Sequence, residues 1–293
     1  MGRSEASWLG EARDSDLTLR RRALPLLGTL VEVALQTDSD AAFEHASTAA
    51  FEVVSEVHRA MSFHDGHSDL RRIGRAAAGD VLRVNPHTWK VLTLARRLEL
   101  DSDGLFNAAV APALVARGLL PTPLGARAPT ARGLIDGVAL LSQHRVRVLK
   151  PLWLDLGGIA KGHAVDCMVE RLQSLGASGG LVNAGGDMRA FGGLAHPVHL
   201  RFQGRLMTVA SLRNAALASS SHAELNLSDV PHIDPRSGAS VASAATVVVQ
   251  ARSAAVADAL TKVALLCPAT AGRICLAWQA DWRQFLPATL HAH

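Results

Sequence analysis

The sequence predicts an α+β protein with mixed, largely antiparallel sheets and helices packed against them. Strand-like and helix-like segments follow one another in irregular order, and hairpin signals outnumber clean βαβ units. With 293 residues, the chain is also long enough to bury a sizeable core. Residues 1–22, MGRSEASWLGEARDSDLTLRRR, mix both charge signs and read as a polar lead-in. A single domain is expected over 23–286, with a short tail at 287–293.

In chain order, Ala23 to Leu35 alternates late and reads as a strand entered through Leu27-Gly28-Thr29. Ala41 to Met61 carries apolar residues at helical spacing behind a Ser39 or Asp40 cap. Ser68 caps a short helix through Ile73, and Asn85-Pro86 opens a helix from His87 to about Leu100. His64 and His67 form an H-x-x-H, but the Asp65-Gly66 turn between them favours two exposed loop histidines over a metal pair. Asp103 to Asn107 is a turn, and Pro112 limits any helix after it. Pro121 to Pro129 reads as a surface loop suited to be a lid, and Val138 to Leu149 as strand, loop, strand.

Leu152 to Leu156, LWLDL, reads as a buried strand, and Gly157-Gly158 as a tight turn. A helix begins near Ile159 and stops at Gly176. Such a junction suits an anion, because the first N–H groups of a helix are unpaired and its dipole is positive there. Asp155 and Lys161 add one charge of each sign. Neither a Walker A loop nor a Gly-x-Gly-x-x-Gly fingerprint is present. Further on, Gly185-Gly186 marks a hairpin, Val198–Phe202 and Leu206–Leu212 two strands, and Ala216–Ser221 a small, hydroxyl-rich stretch. Ala244–Gln250 reads as a strand and Ala254–Leu266 as a helix, after which the chain through Trp278 and Trp282 closes the sheet.

Composition narrows the partners. Lys+Arg 30 against Asp+Glu 26 gives a net charge of +4, with no dense basic run and no Tyr, which argues against nucleic acid. Three cysteines without a CxxC pair argue against a disulfide framework. No apolar leader, lipobox or membrane-length run is visible, so a cytoplasmic protein is expected.

Five segments in order resemble the ApbE family of FAD:protein FMN transferases. They are Leu27-Gly28-Thr29, Asp155 to Gly162 (DLGGIAKG), Asn183 to Asp187 (NAGGD), Ile233 to Gly238 (IDPRSG) and Ala257 to Thr261 (ADALT). The resemblance implies two closely associated lobes with a cleft between them. It implies an enzyme that takes FAD as substrate and, assisted by Mg²⁺, transfers its FMN half to a Thr or Ser hydroxyl, releasing AMP. The acceptor would be a protein with a Thr/Ser flavinylation motif, belonging to an electron-transfer system. Residue by residue, it implies FAD contacts at Leu27, Asn107, Ala108, Ala109, Asp155, Lys161 and Ile233. The metal ligands would be Asp258 and the Gly158 carbonyl, and His232 with Asp258 would be catalytic. An imidazole at His232 has a suitable pKa to take the acceptor's proton.

Departures from the family pattern stand at four places. Leu27 replaces a Met, Asn107 replaces an acid, and His232 lies two residues before Asp234 where three is usual. Lys262 stands where a metal-holding Thr is common, one helical turn after Asp258, and Thr261 comes one residue early. FAD hydrolysis to FMN and AMP, or FAD binding without catalysis, are the alternatives these departures leave open.

Overall fold

The computed structural model describes residues 19–221, 232–241 and 245–287. The chain enters through a hairpin of β1 (Leu19–Leu26) and β2 (Thr29–Gln36), paired from Leu26↔Thr29 out to Leu19↔Gln36. The turn residues Leu27 and Gly28 both take positive φ, 55° and 70°, as a two-residue turn matched to strand twist requires. What the sequence presents as one strand is thus two, and the first begins at Leu19, inside the expected lead-in.

Helix α1 (Asp40–Met61) is capped by Ser39, whose side chain accepts from the Ala42 N–H. Helix α2 (Asp69–Arg75), strand β3 (Val81–Arg83) and helix α3 (Pro86–Asp101) follow. Asn85 caps α3, and Pro86 takes its first turn, where no N–H is needed. A single 3-10 turn over Ala108–Val110 leads into α4 (Ala111–Ala116), then α5 (Leu134–Gly137), β4 (Val138–Leu141) and β5 (Arg145–Val148). The order β3-β5-β4 makes a small antiparallel sheet.

Leu152 to Leu156 is not a strand. Its burial alternates as in one, with Leu152, Leu154 and Leu156 all buried. Its backbone partners, however, are turns and loops: Asp155 N–H donates to the Ala108 carbonyl, and the neighbouring Pro151 carbonyl accepts from Thr130 and Ala131. Alternation reports an extended chain with one buried side, whether or not a ladder exists beside it. Pro121–Pro129 packs onto Gly74 and Trp153 through Arg127.

Beyond the Gly157-Gly158 turn come α6 (Ala160–Ser174), β6 (Gly180–Ala184), β7 (Asp187–Phe191), β8 (His196–Phe202), β9 (Arg205–Leu212) and β10 (Ala216–Ser221). Strand β11 (Thr246–Ala251), helices α7 (Ala254–Leu266) and α8 (Pro268–Ala277) and strand β12 (Asp281–Phe285) complete the described chain. The main sheet runs β1-β2-β6-β7-β10-β11-β12, antiparallel at every pairing. The expected Ala244 start of β11 falls outside the described residues.

Strand β11 explains its own near-continuous apolar sequence. Val247 and Val249 join the large core under α7 and α8, while Val248 joins a second core beneath the β8–β9 ribbon. A strand covered on both faces has no polar side to show. Helix α6 packs between α1 and α7, and α7 lies along β10 and β11. That stacking brings the N-terminal turn of α6 and the middle of α7 to one place.

Candidate functional site

A cleft of about 540 Å³ opens where these elements converge. The Leu105–Leu114 segment forms one wall, the Asp155–Lys161 turn another, and Ser219–Ser221 at the end of β10 the floor. His232, Ile233 and Pro235 close the rim, and Lys262 with Leu266 come from α7.

Close helix packing sets the distances. A methyl group on Gly162 would lie 2.2 Å from the Ala254 carbonyl oxygen, so α6 touches the start of α7 with no room for a side chain. Asp166, one turn further along α6, accepts from the Ala254 and Ala255 N–H groups at 2.9 and 3.0 Å and from Ser253 Oγ at 2.7 Å. Arg189 binds Oδ1, the oxygen that also accepts from Ala254, at 2.8 Å. This carboxylate satisfies the open N–H groups of α7 and complements its dipole, and so fixes α7's rotation against α6.

Held in this way, α7 presents Asp258 with no exposed surface. Lys262 Nζ lies 2.5 Å from Asp258 Oδ1, and Gly162 N–H and Lys161 Nζ stand 3.4 and 3.6 Å from Oδ2. Lys161 also binds Asp187 at 2.6 Å. Lys262 reaches Ser220 Oγ and Thr261 Oγ1, both at 3.1 Å. Thr261 in turn donates to the Asp258 carbonyl at 2.6 Å.

Burial opposes the Asp258 carboxylate, but Lys161 and Lys262 outweigh it and hold the group below the usual range. Burial likewise works against Lys161, and Asp258 with Asp187 more than reverse it. Asp187 goes the other way: burial and the neighbouring Asp258 push it up to about 6. Asp155, half-buried at the cleft edge, is also pushed up by burial, and its side chain accepts from the Gly157 N–H at 3.2 Å.

The sequence-predicted residues divide. Asn107, Asp155, Gly158, Lys161, His232 and Ile233 all line the cleft, and Asp258 lies directly behind Lys262. Leu27, Ala108 and Ala109 do not line it. Leu27 packs between two cores, and Ala108 is buried. Asn107 is committed internally, donating to the Arg132 carbonyl and accepting from the Ala109 N–H. The Pro121–Pro129 loop lines no part of the cleft. Asp187, Ser220 and Asp166 carry no role in the sequence reading, because their partners lie 23 to 89 residues away.

The loop Ile233 to Ser240 is a tight hairpin-like turn. Gly238 N–H donates to the Asp234 carbonyl at 2.7 Å, with a Gly238 φ of 67°. Arg236 grips both Asp234 oxygens, which lowers that carboxyl. Arg117 at the end of α4 bonds Ser240, tying this turn to the opposite wall.

The expected Mg²⁺ on Asp258 and Gly158 would have to share the Asp258 carboxylate with the Lys262 ammonium. Mg²⁺ demands near-octahedral oxygen ligands; Asp258 Oδ1 is held by Lys262 at 2.5 Å, whereas Oδ2 has only the longer contacts at 3.4 and 3.6 Å. The Lys262 stem also packs on Gly158, with its Cε 3.3 Å from where a Gly158 Cβ would be. An ammonium and a divalent cation cannot share one carboxylate oxygen without strong repulsion. Among the described side chains, the positive charge nearest to that carboxylate is the Lys262 ammonium, 2.5 Å from Asp258 Oδ1.

Comparison with known proteins matches residues 27–283 to the model of the ApbE family. Proteins named FAD:protein FMN transferase are 28% identical over 177 residues in Vibrio cholerae and 28% over 284 residues in Rhodobacter capsulatus. Those matches cover 57% and 88% of this chain and 53% and 51% of the relatives, so the chain spans about half the length of the curated relatives it matches. Among solved structures, the apo flavinyl transferase ApbE of Pseudomonas stutzeri superposes with a TM-score of 0.81 at 21% identity, covering 94% of this chain and 93% of that one. The flavin transferase ApbE from Vibrio cholerae gives 0.76 at 20%, covering 93% and 98%. Likeness at these identities concerns the fold. The family match, however, takes in every segment that lines the cleft, and the chain belongs to the ApbE family.

Proposed function

We propose that this chain transfers the FMN half of FAD to a Thr or Ser hydroxyl of an acceptor protein, releasing AMP. The observation that carries the reading is the meeting of Lys161 and Lys262 with the Gly157-Gly158 turn inside one cleft that His232 borders. A dinucleotide pyrophosphate needs positive charge and small residues beside it, and both are there. Family membership supports the same substrate.

In this reading His232 takes the proton of the acceptor hydroxyl. The hydroxyl oxygen forms a bond to the phosphorus of the FMN half, and the bond from that phosphorus to the bridging oxygen breaks. AMP leaves with the electron pair. Lys262 and Lys161 neutralise the growing charge, the part that Mg²⁺ is expected to play from family resemblance. Asp258 holds Lys262 in place. The acceptor is a protein bearing the Thr/Ser flavinylation motif, a component of an electron-transfer system.

Purified protein incubated with FAD and such an acceptor domain tests this. Covalent flavin on the acceptor is expected, at the same rate in EDTA as in Mg²⁺. Lys262→Thr should be inactive in EDTA and regain activity with Mg²⁺. A wild-type enzyme silenced by EDTA and revived by Mg²⁺ would defeat the assignment to Lys262, and AMP without an adduct would mean hydrolysis instead. His232→Asn should slow transfer about 10²- to 10⁴-fold, the usual worth of a general base.

A further inference from the structure

We propose a second, unrelated site: a zinc-type metal centre formed by His87, His163 and Cys167, on the opposite side of α6 from Lys161. Among the described residues this is the only group of His, Cys, Asp and Glu side chains compact enough to hold an ion. His87 Nδ1 lies 3.1 Å from His163 Nε2, Cys167 Sγ lies 3.4 Å from His163 Nε2, and Cys167 Sγ lies 3.6 Å from His87 Nδ1.

Those separations are the edges of one face of a tetrahedron. With Zn–N of about 2.0–2.1 Å and Zn–S of about 2.3 Å, tetrahedral ligands stand about 3.3 Å apart for N···N and about 3.6 Å for N···S. The observed triangle needs a movement of only a few tenths of an ångström to accept an ion at its centre.

The ligands are positioned before any metal arrives. His163 and Cys167 are four residues apart on α6, so they share a face one turn apart, and they are only 9% and 7% exposed. His87 sits in the first turn of α3, where its own N–H is held by Asn85 Oδ1 at 2.8 Å. His87 is half-buried, so its side gives the ion a way in and leaves water to complete the coordination. Two imidazoles and one thiolate are a borderline-soft set, which selects Zn²⁺ over Mg²⁺ or Ca²⁺.

Burial supports the geometry on the imidazole side. It lowers both histidines, His163 to about 4, so they are neutral and able to donate a lone pair at pH 7. Burial pushes the Cys167 thiol up to about 12, so binding must release its proton to solvent. The charged groups acting on the site are Lys90 and Arg189, which oppose a cation, and Glu56, Asp166 and Glu170, which favour one. Bound metal would clamp α3 to α6 while keeping one position open to water, and the centre is independent of the flavin reading.

The reduced full-length protein, stripped with a chelator, is titrated with Co²⁺. One equivalent should bind, with the intense visible bands of tetrahedral Co²⁺ and a thiolate charge-transfer band in the near ultraviolet. Zn²⁺ should bleach both, and one proton should be released per ion. Cys167→Ser should lose the charge-transfer band, and His87→Ala, a change at a half-exposed position, should weaken binding more than about tenfold. Weak octahedral Co²⁺ spectra, or spectra unchanged in Cys167→Ser, would show three side chains that merely hydrogen-bond one another.

Discussion

Lys161 is the residue on which the charge balance of the cleft turns. It lies 2.6 Å from Asp187 and 3.6 Å from Asp258, both almost wholly buried. Lys161→Met should therefore cost about 3–5 kcal/mol in chemical denaturation, since it strands buried carboxylates beside each other. Adding Asp187→Asn should recover part of that loss, and independent, additive effects would contradict the coupling. His163 gives a pH signature of another kind. Its folded pKa of about 4 lies below its ordinary 6.5, so the unfolded state binds the extra proton between those values. Its contribution is full above pH 6.5 and falls by up to about 3 kcal/mol as pH drops through 4. In metal-free protein, His163→Gln should flatten the pH dependence of unfolding across that window relative to wild type. At this scale part of the cleft is readable in the sequence: Asp155, Lys161, Ile233 and Asp258 stand within short motifs, His232 stands just before one, and one-turn spacing already pairs Lys262 with Asp258. His87 escapes notice because its partners lie 76 and 80 residues away. The H-x-x-x-C of His163 and Cys167 is the one local hint.

At the level of elements, the contact between α6 and α7 builds the site, and Gly162 permits it. A Gly162→Ala change meets backbone rather than a yielding side chain, so the helices must separate. About 1–3 kcal/mol or more of stability should go, together with most of the proposed transfer activity, because Lys161 and Asp258 move apart. Asp166→Asn should act more gently, leaving the helices in contact but loosening the start of α7. Loss of activity without loss of stability in Gly162→Ala would refute the packing argument. Helices α1, α3, α6 and α7 are legible because apolar spacing and caps agree. Three segments depart from the expectation for physical reasons. LWLDL is extended and half-buried, and periodicity cannot see that its neighbours are loops. The chain from Leu19 to Gln36 hides a hairpin because Leu27 takes a positive φ that a leucine seldom adopts. The helix Pro268–Ala277 carries its start signal in Pro268 but lies where the sequence suggests only sheet closure.

Across the whole molecule, the cleft borrows its walls from segments that share no sequence neighbourhood: the Leu105–Leu114 stretch, the α6 turn, the end of β10, the Ile233 loop and α7. A ligand touching all of them binds only the folded arrangement, so its binding energy adds to global stability rather than to one element. At a hundredfold excess over its dissociation constant, FAD should stabilise the fold by about 2.7 kcal/mol, visible as a concentration-dependent rise in Tm. Because both ammonium groups face the expected place of the pyrophosphate, FAD and ADP should raise Tm where riboflavin does not. The rise should shrink with added salt, though less than for exposed charges, since the pairing groups are buried. Lys262→Thr should lower the FAD effect without Mg²⁺ while leaving the riboflavin baseline unchanged. Equal shifts from riboflavin and FAD would place the recognition in the apolar wall of Leu105, Phe106 and Leu114 instead of the lysines. The charged network would then be a brace for α6 and α7 rather than a seat for phosphate.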